Sequence, residues 1–305
     1  MKLTHKHMVL FCSCVVLVLL MSACTIQPIT ADIEMATSDG ADSVTSTSIE
    51  LMTPDGAQTF TLENLQAQLE IATITVETPA HKKNKTFEGF WLSDILALTG
   101  MTKEDLAGGD EDYILFEALD GYQVRLNVNQ LADAQPQGLL AYDDVDTADG
   151  WELVKQGQRD VSPGPFYLVW TTTDGSELDS KSRPWPYQLA HISSVNLAEL
   201  YDLLYPVGID ESDPIFQGFT LFEVHCVKCH GFNLQGGKVG PELNIPQNVT
   251  EYRDRETLIG FIKNSSNYRL GSAMPVFDGI LADEEIDLLL TYIEWMGDNK
   301  IEPYQ

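Results

Sequence analysis

The segment EVHCVKCHGF, residues 223–232, sets two cysteines three positions apart and a histidine directly after the second. In the C-x-x-C-H pattern, Cys226 and Cys229 each reach one haem vinyl group as a thioether, and His230 is then held under the iron as proximal ligand. A structural zinc site would need two further ligands at suitable spacing. A redox dithiol would want a βαβ setting, and the flanks do not offer one.

Cysteine accounting sharpens the choice. The chain has five cysteines, at 12, 14, 24, 226 and 229. The first two lie in an N-terminal apolar run and Cys24 closes it, so only Cys226 and Cys229 remain for the body of the protein. No pair is left for a structural disulfide or a second zinc half-site.

Around the motif, DPIFQGFTLFEVHCVKCH (213–230) reads as a helix with Phe216, Phe219, Phe222 and Val224 on an apolar side. Downstream come GPEL at 240–243, a helix in ETLIGFIKN (256–264), and GSAMPVFDG with Met274 beside Pro275. The last helix is DEEIDLLLTYIEWM (283–296), in which Ile286, Leu289, Leu290 and Ile293 form one stripe at i, i+3, i+4 and i+7. Three acidic residues at its start suit the helix dipole.

In this order the features resemble a class I cytochrome c, an all-α fold, over residues 214–305. The resemblance implies that Met274 is the sixth iron ligand and that the Pro241 carbonyl orients the His230 imidazole. It also implies that Gly218 and Phe222 on the first helix cross Tyr292 on the last. Ala282 departs from the usual Ser or Thr cap. Met296 has no adjacent proline, and His225 is too near the attachment site to reach the opposite haem face. Tyr268 and Arg269, just before the Met loop, are candidates to contact a propionate. His/Met ligation leaves iron no open position, so this unit reads as an electron carrier rather than a self-contained oxidoreductase.

Residues 49–198 read as a separate α+β unit. SIELMT, IATITVE, PFYLVW and YQLAHISSV are strands, TLENLQAQLE and WLSDILALTG are short helices, and YILFEAL-DG-YQVRLNV is a hairpin around Asp120-Gly121. The set KTFEGFWLSDILALTG, ALDGYQVRLNV, GLLAY, SPGPFYLVW and PWPYQLAHI resembles the molybdopterin-binding domain of sulfite-oxidase-like oxidoreductases. Catalytic members of that family bind molybdenum through a cysteine thiolate. Here no cysteine lies between Thr25 and His225, which argues against molybdopterin chemistry. Two readings stay open: a docking module beside the haem, or a binder of pterin or another ligand through Arg125, Arg159, Lys181 or Arg183. The alternative for the whole chain is a molybdenum-cofactor oxidoreductase passing electrons to its own haem. His81 and His191 have no partner cluster, and HKKNK (81–85) reads as an exposed loop. A linker at 199–213 either lets the haem domain move or packs it in place.

The N-terminus completes the organisation. Lys2 and Lys6 precede the apolar run MVLFCSCVVLVLLM, which is shorter than the ~20 residues of a spanning helix. With MSAC at 21–24 it resembles a lipoprotein signal, residues 1–23, with Cys24 lipid-modified. A polar Thr/Ser/Asp/Ala-rich tether follows, 24–48. The expectation is therefore a bacterial cell-envelope protein on the extracytoplasmic side, held to the membrane only by lipid. Net charge is −28, which repels nucleic acid and anionic lipid surfaces. Acidic residues outnumber basic ones 13 to 7 between Pro214 and Gln305, so docking to redox protein partners should be salt-sensitive.

Overall fold

A computed structural model describes residues 47–53, 55–100, 112–132, 135–148, 150–156, 159–172, 178 and 183–301. The leader, Cys24, the tether up to residue 46, and Lys181 lie outside the described residues.

The front part is sheet-rich. In chain order it holds β1 (Ser48–Thr53), β2 (Gly56–Thr61), α1 (Leu62–Gln68), β3 (Ala72–Glu77), β4 (Asn84–Trp91) and α2 (Leu92–Leu98). Next come β5 (Asp112–Ala118), β6 (Gln123–Asn127), α3 (Asn129–Ala132), β7 (Gln137–Asp144), β8 (Val154–Gln156) and β9 (Arg159–Val161). It closes with β10 (Tyr167–Thr171), β11 (Leu189–Asn196) and α4 (Leu197–Leu200). Five strands run in the order β2-β1-β11-β5-β6 and four in the order β10-β7-β4-β3. Pairing is antiparallel except β1 with β11. Strand faces alternate as pleating demands, with β4 presenting Lys85, Phe87 and Gly89 as buried residues. Phe90, Leu140, Leu168 and Trp170 from one sheet and Ile49, Ile114, Phe116 and Ile192 from the other share one core, joined by Ile95 and Leu96 of α2.

Local chemistry sets the element ends. Thr61 caps α1 by accepting from the Asn64 amide at 3.2 Å. Gly100, at φ +78°, closes α2 in the left-handed conformation. Lys85 departs from the exposed-loop expectation: it lies in β4 with its side chain 2% exposed, because Asp144 and Glu152 meet its ammonium there.

The C-terminal part is helical. It comprises α5 (Pro214–His225), the two-residue strands β12 (Gly231–Phe232) and β13 (Gln235–Gly236), α6 (Val249–Tyr252), α7 (Arg255–Lys263) and α8 (Asp283–Asp298). Asn233 and Leu234, at φ +49° and +68°, form the tight turn of the small hairpin, a β element beyond the all-α expectation. Asp213 caps α5 by accepting from the Ile215 amide at 2.8 Å, with Pro214 at the first helical position. Ala282 cannot cap α8. Glu285 reaches back instead and accepts from the Ala282 amide at 2.8 Å.

Helices α5 and α8 cross at Gly218. A Cβ there would stand 2.1 Å from the Leu288 carbonyl oxygen and 2.7 Å from Tyr292 Cβ. Only glycine permits this approach, which lets Phe219 and Phe222 pack on the Tyr292 ring at 5.6 and 5.7 Å. Gly218→Ala forces the helices apart and is expected to cost about 1–3 kcal/mol, seen as a lower denaturant midpoint at unchanged slope.

Residues 199–213 pack against the helical part. Tyr201 and Leu204 are buried in its core, and Tyr205 stacks edge-on against Phe216 and Phe219. Tyr292 donates its hydroxyl to the Leu204 carbonyl at 2.8 Å. No described helix is long and apolar enough to cross a membrane.

Candidate haem site

The attachment motif continues the helical rotation of α5. Cys226 is its C-cap, and the amides of Cys229 and His230 both donate to the Cys226 carbonyl, at 3.0 and 2.9 Å. Val227, between the cysteines, is 1% exposed and anchors the turn in the core, leaving Cys226, Cys229 and His230 on the wall of a cavity of about 720 Å³.

His230 is oriented by Pro241. Its Nδ1–H donates to the Pro241 carbonyl at 2.9 Å, which leaves Nε2 as the nitrogen able to ligate a metal. Burial pushes the imidazole pKa down, against the opposing effect of that bond, so the ring is held in its neutral, ligating form. Gly240 makes the arrangement sterically feasible: a Cβ there would lie 2.3–2.7 Å from three atoms of the His230 ring. Desolvation pushes the Cys226 thiol up to about 12 and raises Cys229 as well. Among the described residues no cluster of three or more His, Cys, Asp or Glu could hold a metal ion.

Met274 lies on the same cavity wall. Its loop is pinned by Ser265, wholly buried, whose hydroxyl donates to the Met274 carbonyl at 3.2 Å. Met296 instead sits fully buried in the helical core, off the cavity. His225 is a flanking cavity residue, edge-on to Phe277 at 6.0 Å.

The remaining wall suits a flat apolar ring with acidic substituents. Phe222, Leu258, Phe261, Ile262, Leu289 and Leu290 supply the apolar surface. Arg159, Lys228, Arg253 and Arg269 are also on it, and none of the lining residues is Asp or Glu, although the chain has 46 acidic residues. Volume, thiol pair, oriented imidazole and charge all fit a haem with two propionates.

Two of the lining residues, Tyr122 and Arg159, come from the front part. From sequence, Arg159 is only a ligand candidate of the front domain and Tyr122 is not singled out. Neither position carries a local signal for haem, because its role depends on contacts more than 60 residues away in the chain.

Of the other described ligand candidates of the front domain, Arg125 and Arg183 line a second cavity of about 480 Å³. Arg125 pairs with Glu223 of α5 at 2.8 Å. Its guanidinium also lies 5.3 and 5.5 Å from the ring centroids of Tyr113 and Tyr201. Arg183, buried, stacks over Trp170 at 5.4 Å. His191 meets Glu50 at 3.0 Å, and His81 bridges the Thr78 hydroxyl and the Glu152 carbonyl.

Residues 214–293 match the family model described as cytochrome C oxidase, cbb3-type, subunit III. The C-terminal part of the chain is thus a c-type cytochrome domain, which implies haem c, electron transfer and redox partners. A comparison with curated proteins gives no match.

Proposed function

We propose that the chain is an extracytoplasmic, lipid-anchored monohaem cytochrome that passes single electrons between redox proteins. Cys226 and Cys229 hold the haem, while His230 and Met274 ligate its iron. The observation that carries this reading is the Nδ1–H bond from His230 to the Pro241 carbonyl beside the cysteine pair, on a cavity whose wall also holds Met274. When bound, haem would supply a one-electron couple, with His230 and Met274 as the residues that would hold its iron. The protein's part is to fix the imidazole tautomer, exclude water with the Phe222, Leu258 and Leu289 surface, and offset propionate charge with lining arginines. The lipid anchor rests on the leader and Cys24.

The front domain is, on this reading, a sulfite-oxidase-like fold kept as a docking or ligand-binding module. Its two packed sheets support the first half of that statement, and the lack of any cysteine between Thr25 and His225 supports the second.

Metal content tests the whole reading. Protein expressed with both haem attachment and molybdenum-cofactor supply active should carry about one iron and no molybdenum per chain. Molybdenum approaching one per chain would overturn the carrier reading in favour of an oxidoreductase with its own haem. Met274→Leu is expected to retain covalent haem, lower the reduction potential, and open the sixth position to carbon monoxide, seen in a difference spectrum. Unchanged potential and no carbon monoxide binding would remove Met274 from the ligand set.

A further inference from the structure

The front domain is fastened directly to the haem-attachment loop. The Gln123 amide donates to the Lys228 carbonyl and the Lys238 amide to the Gly121 carbonyl, each at 2.9 Å. These bonds join the β5–β6 turn to both arms of the loop that carries Cys229 and His230. The fit is tight: a Cβ on Gly121 would stand 2.7 Å from Lys238 Cβ, and the residue's φ of +82° already favours glycine. Two residues further along β6, the Arg125–Glu223 pair ties the same strand to α5.

Tyr122 lies between the two anchored residues. Its side chain is half-buried on the haem-cavity wall, as is that of Cys229. The backbone leaves it little freedom to be elsewhere.

We propose that the front domain is a wall of the haem site: Tyr122 covers the Cys229 edge of the haem, shielding it from water and from direct contact with redox partners. This inference rests on the haem reading above. Ferric haem carries one more positive charge than ferrous, and water solvates that charge. A side chain that excludes water therefore favours the reduced form and raises the potential. It also lengthens the path to any oxidant approaching that edge. Partners would then exchange electrons through another part of the cavity mouth, or through the front domain itself.

The test uses full-length holoprotein with Tyr122→Ala and Tyr122→Phe. Two quantities are read: midpoint potential by spectroelectrochemistry, and the rate at which ferricyanide oxidises the ferrous protein at high salt. The alanine variant should show a lower potential and a several-fold faster oxidation, and phenylalanine should restore both, because the ring and not the hydroxyl does the covering. An alanine variant with haem on Cys226 and Cys229 but unchanged potential and rate would overturn the proposal, as would a phenylalanine variant that behaves like alanine. A wild-type chain that takes no haem on those cysteines would sink the haem assignment and the cover together. Amide exchange on the wild-type holoprotein needs no substitution. Protection of the Gln123 and Lys238 amides is expected, and free exchange at both would overturn the clamp.

Discussion

Changing Cys226 and Cys229 together to serine is expected to give a chain that takes up no covalent haem and whose helical domain does not fold stably. The cavity they border measures about 720 Å³ and is walled by Phe222, Leu258, Ile262, Leu289 and Leu290, residues that also build the helical core. Without haem their apolar faces border an unfilled cleft, and each buried Leu, Ile or Phe side chain is worth about 1.5–3 kcal/mol. Several together are comparable with the roughly 5–15 kcal/mol by which a whole domain is stable. On the proposed haem reading the group completes the core of this domain, and attachment is expected to couple to folding. Haem staining after denaturing electrophoresis checks the first half of the expectation, and far-UV dichroism on melting checks the second. A serine variant with wild-type helix content and melting would show that the bundle closes without haem. Loss of only one thioether, in Cys226→Ser alone, should retain haem and fold with reduced stability.

How much of this was legible in the sequence follows from the range of each interaction. The helix leading into the CVKCH motif, the α8 stripe and the Asp120-Gly121 hairpin are local patterns, and each appears where periodicity or spacing places it. The Gly218 crossing was legible through the resemblance of the helical part. The buried amide chain of that part was not. Asn244 donates to the Asn233 side chain and the Met296 carbonyl, and Asn248 donates to the Asn244 side chain and the Ile293 carbonyl, all at 2.8–2.9 Å. Those asparagines look like loop residues until α8 is folded over them. The sheet order was also hidden, since β11 joins β1 in parallel across almost the whole front domain. Tyr122 belongs to the same class: its position beside the haem cavity follows from tertiary contacts that no window of sequence contains.

The basic stretch at 81–85 gives the plainest case of tertiary override and the second large expected effect. Lys85 Nζ lies 2.8 Å from Asp144 Oδ2, and the two side chains are 2% and 1% exposed. The ammonium also donates to Glu152 at 2.9 Å and to the Thr147 hydroxyl at 3.1 Å. Asp144 Oδ2 in turn accepts from the Glu152 amide at 3.0 Å and the Thr147 hydroxyl at 2.8 Å. Its Oδ1 has no hydrogen-bond donor among the described residues. Lys85→Met removes the countercharge and strands a buried carboxylate, an expected loss of about 3–5 kcal/mol. Lys85→Met with Asp144→Leu should be less destabilised than the single variant, because no buried charge is then left unpaired and Glu152 keeps Lys83 at 2.7 Å. The pH dependence separates charge from packing. For Asp144, desolvation pushes the pKa up, but Lys85 and the Thr147 and Glu152 donors more than offset it and hold the carboxyl below its ordinary 3.8. Its contribution is thus complete above pH 3.8 and disappears as pH falls through the lower folded value. For Lys85, desolvation lowers the pKa, and the two carboxylates outweigh it and raise it above 10.5. That contribution is complete below pH 10.5 and is lost as pH rises through the folded value. In Lys85→Met the carboxyl faces desolvation without its cation, so its folded pKa rises and protonation relieves the strain. The deficit relative to wild type, followed by urea denaturation, should therefore shrink as pH drops from 7 towards 4. A deficit that stays constant over that range would assign the loss to packing of the lysine stem and not to the buried charge.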